Sequence, residues 1–236
     1  MDNCSHNGDK LYAAVNAFAR AWEENGLISH GFLAYINDKS KGYHVFMILS
    51  TYLLFNLGEY FDSLLSQTPF DFVIVSSHLV HGYDPYYPEF FEGRKEFLCY
   101  MEYFESILEN ISAYDGFDVY GHIDYVVRYG PNKNREYSYG RYKDILDEIL
   151  KKLISMGKGI ELNTGGYHYG LGEPNPCTAV IRRYRELGGE IITIGADAHT
   201  PDKIACAFDK AASVLEACGF RYYTIFKDRK PEFISL

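Results

Sequence analysis

The chain has 236 residues, 47% of them hydrophobic, and a formal net charge of −9. That is enough for one full-sized core, and a single α/β barrel of roughly 250 residues needs no second domain. The acidic balance argues against a nucleic-acid partner held by a broad basic surface. It leaves a small anionic substrate open, because a local cation outweighs a global field at short range.

Five cysteines, at 4, 99, 177, 206 and 218, form no C-x-x-C pair. This points to free thiols in a reducing cytosol, not a zinc ribbon or a disulfide framework. The polar N-terminus carries no signal-peptide pattern, and Val45–Phe55 is too short to span a bilayer. The expected location is cytoplasmic, without a membrane partner. The 22 tyrosines suit ordinary packing, or a pocket whose walls hydrogen-bond.

Lys10–Glu24 reads as a helix, with Leu11, Ala14, Val15, Phe18 and Trp22 on one face. Leu27–Phe55 holds apolar runs without clean strand–turn–helix phrasing. From Phe70 the pattern becomes regular. Phe70–His78 is a strand, followed by a turn-rich loop, His81–Pro88. Glu92–Ala113 has helical apolar spacing. Phe117–Asp124 is the next strand end, followed by a loop over Arg128–Tyr137. Tyr142–Met156 is an amphipathic helix ended near Gly157. Gly159–Gly166 is a third strand end, the strand itself running Gly159–Asn163. Asn175-Pro176 reads as an N-cap with proline at the first helical position, opening a helix to about Leu187. Glu190–His199 is the fourth strand end. Thr200-Pro201 opens a helix to about Cys218, and Arg221–Phe226 is a last strand. This β-α order predicts parallel strands with right-handed crossovers. One α/β domain over residues 1–236 follows, a closed or nearly closed barrel.

The strand ends carry the chemistry. His78 and His122 each end a buried apolar run, where a lone histidine is more often a core residue than a ligand. Two such placements together with Asp197 and His199 shift the balance to a divalent metal. On an extended strand Asp197 and His199 point the same way. Zinc, manganese and iron all accept imidazole with carboxylate. Gly195 and Ala196 are small enough to let backbone approach a bound group. Arg128 suits a phosphate's paired oxygens, or is a solvated loop arginine. Asn163 and the following Thr164-Gly165-Gly166 either contact substrate or form a plain turn. Glu161 is a buried outer carboxylate or faces a helix layer. Asp124 either supports a ligating histidine or sits at a surface or helix-cap position. His81 and His168 are loop histidines, solvated unless they touch a ligand. No P-loop, G-x-G-x-x-G or G-x-S-x-G pattern is present.

Ser76-Ser77-His78-Leu79-Val80, Tyr120-Gly121-His122-Ile123-Asp124-Tyr125, Gly159–Gly166, Gly172–Pro176 and Gly195–His199 occur in order. As a set they resemble the histidinol-phosphatases of the polymerase-and-histidinol-phosphatase (PHP) superfamily, from about Phe70 onward. The resemblance implies a distorted (β/α)7 TIM-like barrel with a two- or three-metal centre of Zn, Mn or Fe. It implies hydrolysis of L-histidinol phosphate to L-histidinol and phosphate, in histidine biosynthesis. On matching positions His78, His122, Asp197 and His199 are metal ligands, Asp197 and His199 the catalytic pair, and Arg128 and Asn163 substrate contacts. The family's opening Asp-x-His-x-His strand is not found, and His6 is matched to a further ligand. The Thr-Asp-His strand end and the bridging glutamate are also not found: His30, His44 and Glu59 do not fit them. A truncated or frame-disturbed product is the expectation, ahead of a divergent enzyme or a degenerate relative. Fewer metals and low phosphatase activity would follow. Another small phosphate ester, a catalytically impaired binding relative, or an amidohydrolase-type C–N hydrolysis are the competing functions.

Overall fold

The computed structural model describes residues 34–35, 46–51, 58–67, 70–199 and 203–236. The predicted helix at Lys10–Glu24, the ligand His6, His30, His44 and the Thr200-Pro201 cap lie outside these residues. Six strands form one sheet in chain order: β1 Ala34–Tyr35, β2 Phe46–Thr51, β3 Phe72–Ser77, β4 Val119–Tyr120, β5 Gly159–Asn163 and β6 Ile192–Gly195. β1 pairs antiparallel with β2, and every later pairing is parallel. Parallel neighbours in chain order need helical crossovers, and the sequence supplies them. Helix α1, Gly58–Gln67, links β2 to β3, and α2, Glu96–Ala113, links β3 to β4. Helix α3, Lys143–Ser155, links β4 to β5. The short α4, Gly165–His168, and α5, Thr178–Glu186, link β5 to β6. Helix α6, Phe208–Ala217, follows β6.

The core follows from periodicity. On α2, Cys99, Tyr100, Tyr103, Phe104, Ile107 and Ile111 are buried at helical spacing, and on α3 so are Leu146, Ile149, Leu150 and Leu153. Tyr103 donates to the Ser77 carbonyl (3.0 Å) and Asn110 Nδ2 to Ser77 Oγ (2.9 Å), which pins α2 to the end of β3. Helix α3 stops where Gly157 takes φ +69°, and Lys158 N–H returns to the Leu153 carbonyl (2.9 Å). β5 has the predicted bounds, Gly159–Asn163, and α3 differs from its expected range by one residue at each end.

Several expectations need correction. Helix α2 begins at Glu96, not at Glu92, because a short 3-10 turn at Pro88–Phe90 and the bend through Gly93 precede it. Arg128 does not open a loop; it closes a buried 3-10 turn, Tyr125–Arg128. Asn175-Pro176 is not a helix cap. It forms a cis peptide bond, and α5 begins at Thr178 with Cys177 as its N-cap. Helix α6 starts only at Phe208, after turns in which Ala205 and Ala207 have positive φ.

The last predicted strand is also not a member of the parallel ladder. β7, Tyr222–Lys227, pairs antiparallel with β8, Lys230–Ser235, in a separate two-stranded sheet. Asp228 (φ +48°) and Arg229 (φ +63°) make the tight turn, the backbone signs that two-residue hairpins prefer. The hairpin docks on the N-terminal ends of the parallel strands. Phe226 stacks on Phe72 with centroids 5.0 Å apart, in a cluster with Ile74 and Val119. Asp228 N–H donates to Asp71 Oδ1 (2.9 Å), Arg229 N–H to the Asp71 carbonyl (3.0 Å) and Arg229 Nε to Asp118 Oδ2 (2.6 Å).

Candidate active site

The opposite, C-terminal ends of β3 to β6 gather the polar residues, the edge at which α/β barrels place their chemistry. His78 follows β3, and His122 lies two residues past β4. Their ring centroids are 5.0 Å apart. Tyr125 touches both rings, at 4.6 Å from His78 and 5.0 Å from His122. Tyr125 is there because its N–H bonds the His122 carbonyl (2.8 Å), starting the 3-10 turn that ends at Arg128.

Arg128 is among the largest fully buried side chains in the described fold. Its Nε donates to Asn175 Oδ1 (2.8 Å) and its Nη2 to Asn163 Oδ1 (3.1 Å), while Nη1 is paired with Asp197 Oδ2. The guanidinium lies over Tyr169 (4.6 Å to the centroid) and Tyr125 (5.5 Å), a cation–π arrangement. Asn175 reaches it because its backbone pairs with Asn163 in an antiparallel bridge, with N···O distances of 2.8 and 2.9 Å. Asn175 Nδ2 then donates to Asp124 Oδ1 (2.6 Å), and Asp124 Oδ2 accepts the Cys177 N–H (2.7 Å). Asp124 therefore anchors the chain at Asn175 and Cys177, ahead of α5, and is buried, not a surface residue.

β6 ends at Gly195, so Asp197 and His199 are not aligned by a strand pleat. A turn with Asp197 at φ +51° brings them together, with His199 Nε2 3.3 Å from Asp197 Oδ1. Gly195 has a different use from the expected one. A Cβ there would overlap the Glu161 carboxylate, so its smallness houses Glu161. Glu161 Oε2 accepts the His122 N–H (3.1 Å) and Asn163 Nδ2 (3.0 Å). His81 sits apart, exposed and bonded to Glu102 (2.8 Å), and His168 is exposed on α4.

Electrostatics separate the groups sharply. Burial, aided by the Arg128 charge, lowers His78 to about 4 against the pull of Asp197. Burial, and then Arg128, also hold His122 well below the ordinary histidine value. Both imidazoles are thus neutral at neutral pH, the form that binds metal. Burial alone would raise Asp197. The bond from His199 and the Arg128 guanidinium outweigh it and hold the carboxyl far below the usual range. Burial raises Glu161 to about 7.

One atom tests whether these residues suit a metal. His122 Nδ1 is buried with no hydrogen-bond partner. A buried nitrogen left so costs about 1–3 kcal/mol, and a lone pair on a neutral imidazole is what a divalent cation takes. His78 beside it is a second neutral imidazole, its ring centroid 5.0 Å away. Among the described residues no group of three or more His, Cys, Asp or Glu is arranged to hold a metal. The two histidines fit part of a coordination shell. Asp197 bonds Arg128 and His199, and its two oxygens keep further lone pairs.

The structure places His78, His122, Arg128, Asn163, Asp197 and His199 at one rim. The sequence reading did not include Asn175 or the aromatic wall of Tyr125 and Tyr169. The G-E-P-N-P run was the available signal for Asn175.

The PHP domain profile matches residues 7–165, so the likeness extends upstream of Phe70, where the sequence reading stopped. A protein named probable histidinol-phosphatase from Clostridium acetobutylicum is 32% identical over 168 residues, 70% of this chain and 64% of its own length. The histidinol-phosphatase of Lactococcus lactis is 29% identical over 170 residues, 72% of this chain and 63% of its own length. The chain thus spans just under two thirds of the length of these curated relatives. In structure it is similar to a histidinol phosphate phosphatase from Lactococcus lactis complexed with zinc, L-histidinol and phosphate. The TM-score is 0.73 at 24% identity, covering 97% of this chain and 80% of that one. That similarity agrees with the expected TIM-like barrel class, while the described strands pair as an open sheet in the order β1 to β6 and not as a closed ring.

Proposed function

This chain belongs to the PHP domain family, and on that premise we propose that it hydrolyses L-histidinol phosphate to L-histidinol and phosphate. The observation that carries the reading is the convergence of two neutral imidazoles, a buried guanidinium and a strongly acidic carboxylate at the ends of three parallel strands, β3, β4 and β6. The cytosol is its proposed compartment. No helix among the described residues is long and apolar enough to cross a membrane.

Each residue then has a defined task. His78 and His122 would hold a divalent cation, zinc, manganese or iron, with Asp197, His199 and His6 as the remaining proposed ligands. Such a cation would neutralise charge developing on phosphate oxygens and lower the pKa of a bound water. Arg128 binds phosphate. A guanidinium has five N–H groups, and three are used by Asn175, Asn163 and Asp197. One N–H on each terminal nitrogen can serve phosphate while the side chain stays held. Asn163 and Asn175 fix the plane of that fork. Tyr125 and Tyr169 cover its faces and exclude water, which strengthens its attraction for an anion. His199, raised by its bond to Asp197, is the group able to carry a proton at the rim.

A second reading, a binding protein without turnover, is favoured by one observation. Asp197 is occupied by Arg128, so a carboxylate needed by a metal is already neutralised. Phosphate release from L-histidinol phosphate, measured with added zinc or manganese and beside a panel of small phosphate esters, decides. Metal-dependent release favouring histidinol phosphate supports the hydrolase. Release from another ester alone reassigns the substrate. Zinc binding without release from any ester establishes the binding protein.

A further inference from the structure

We infer that Glu161 is a positioning residue that sets both halves of the site through a single carboxylate oxygen, an inference that rests on the hydrolase reading for its kinetic readout. Glu161 lies inside the sheet, 7% exposed, and touches neither the His122 ring nor the Arg128 guanidinium through any hydrogen bond. Its Oε2 accepts two donors. One is the main-chain N–H of His122 (3.1 Å), at the residue whose φ is +23°. Positive φ is uncommon and costly away from glycine and needs support from its surroundings. The other donor is Asn163 Nδ2 (3.0 Å). That bond orients the Asn163 amide so that its Oδ1 meets Arg128 Nη2 (3.1 Å) and the Gly165 N–H (2.8 Å). One oxygen therefore fixes the backbone that carries the imidazole and the amide that holds the guanidinium.

The surrounding chain makes room for this arrangement. A Cβ on Gly195 would overlap Glu161 Oε1, while one on Gly121 would meet Ser76 Oγ first (2.5 Å) and stand 3.3 Å from Oε2. The end of β6 has thus dispensed with a side chain to house this carboxylate. Because both donors converge on one oxygen, the site requires an acceptor at that reach, and charge is secondary. Glutamine places an amide oxygen there, with its amide nitrogen where Oε1 sits. Aspartate keeps the charge but stops one methylene short.

The pair Glu161→Gln and Glu161→Asp, made in the full chain, separates reach from charge. Phosphate release from L-histidinol phosphate is measured for each, together with hydrogen exchange at the His122 amide. Glu161→Gln should keep kcat/KM within about threefold. Glu161→Asp should lose about 10–100-fold, the usual cost of removing a group that supports a ligand. Protection of the His122 amide should follow the same order, kept in the glutamine variant and lost by about tenfold or more in the aspartate variant. The reverse order would assign Glu161 a charge-dependent role and overturn the inference, and so would equal values in all three proteins. If the unaltered chain releases no phosphate, the hydrolase reading fails by itself. Exchange at His122 still decides the role of Glu161.

Discussion

The parallel sheet carries an arginine–carboxylate cluster at each end, Arg128 fully buried at one and Arg229 33% exposed at the other, and only the first lies beside a buried polar atom without a partner. At the N-terminal ends of the strands, Arg229 bonds Asp118 and the Gly116 carbonyl, and Asp71 takes two N–H groups of the hairpin turn. At the C-terminal ends, Arg128 is bonded on all three nitrogens, yet His122 beside it has a buried Nδ1 without a partner. A finished polar network stabilises a fold; an unfinished one in the same interior reserves a place for something else. Among the described residues no buried side-chain atom is left unpaired at the N-terminal end of the sheet, whereas the C-terminal end keeps one, at a cost in stability.

The sharpest way to break this contrast is His122→Leu. It removes the unpartnered nitrogen and a ligand together. Phosphate release should fall at least about a hundredfold. Without metal, the variant should melt no lower than the unaltered protein, since the nitrogen costs about 1–3 kcal/mol where it stands. Zinc at about 100 times its Kd should stabilise the unaltered chain by about 2.7 kcal/mol and leave the variant unmoved. Scanning calorimetry with and without zinc reads both. A variant that melts much lower without metal would show His122 to be a packing residue.

Arg128→Leu should affect both function and stability. Its partner Asp197 keeps 19% side-chain exposure. The expected loss is therefore near the lower end of the about 3–5 kcal/mol that follows from breaking a buried pair. The double variant Arg128→Leu/Asp197→Leu should recover much of that loss in urea unfolding, without recovering activity. Equal losses in single and double variants would mean that the two charges do not depend on each other.

Arg229→Ala tests the other end. It removes bonds to Asp118 and Gly116, while Asp118 still accepts the Val73 N–H (2.8 Å). The cost should be about 1.5–3 kcal/mol, the range for a hydrogen bond to a charged group, with kcat/KM within about twofold. A loss of activity at equal folding would erase the division between the two ends.

The same division bears on what could be read from the chain. The C-terminal end of the sheet was legible because its residues end apolar β-branched runs; β5 and α3 were legible because their periods are uninterrupted. The N-terminal end was not. A two-residue hairpin turn is normally signalled by glycine or asparagine, and here Asp228 and Arg229 adopt its positive φ values. Bonds to Asp71 and Asp118, more than 100 residues away, hold them, as separations of 157 and 111 show. No local pattern records such a constraint. Asn175 was misread for a related reason. Asn-Pro ahead of a helical run has the form of a cap, and only the bridge to Asn163 reveals that its side chain serves Arg128. The pairing of Asp197 with His199 was expected for a wrong cause, a shared strand face, and is achieved by a turn.

The smallest expected effect lies away from both ends, at Asp147 on the outer side of α3. Arg183 of α5 bonds it twice from Nε and once from Nη2 (3.0, 3.3 and 2.8 Å), and Tyr139 adds another bond (2.7 Å). These bonds, the one from Arg183 first, lower Asp147 to about 2. A carboxyl whose folded pKa is depressed binds its proton more weakly than in the unfolded chain, where it titrates near about 3.9. Its contribution to stability is therefore fully present above about pH 4 and fades as the pH falls through about 2. Asp147→Asn removes that dependence. The melting temperature of the variant should lie slightly below the unaltered protein's at pH 6, and the two should converge between about pH 4 and pH 2. Phosphate release at neutral pH should be unchanged. A gap that persists at pH 2 would mean that Asp147 acts through shape or packing, and that the helix layer gains nothing from its charge.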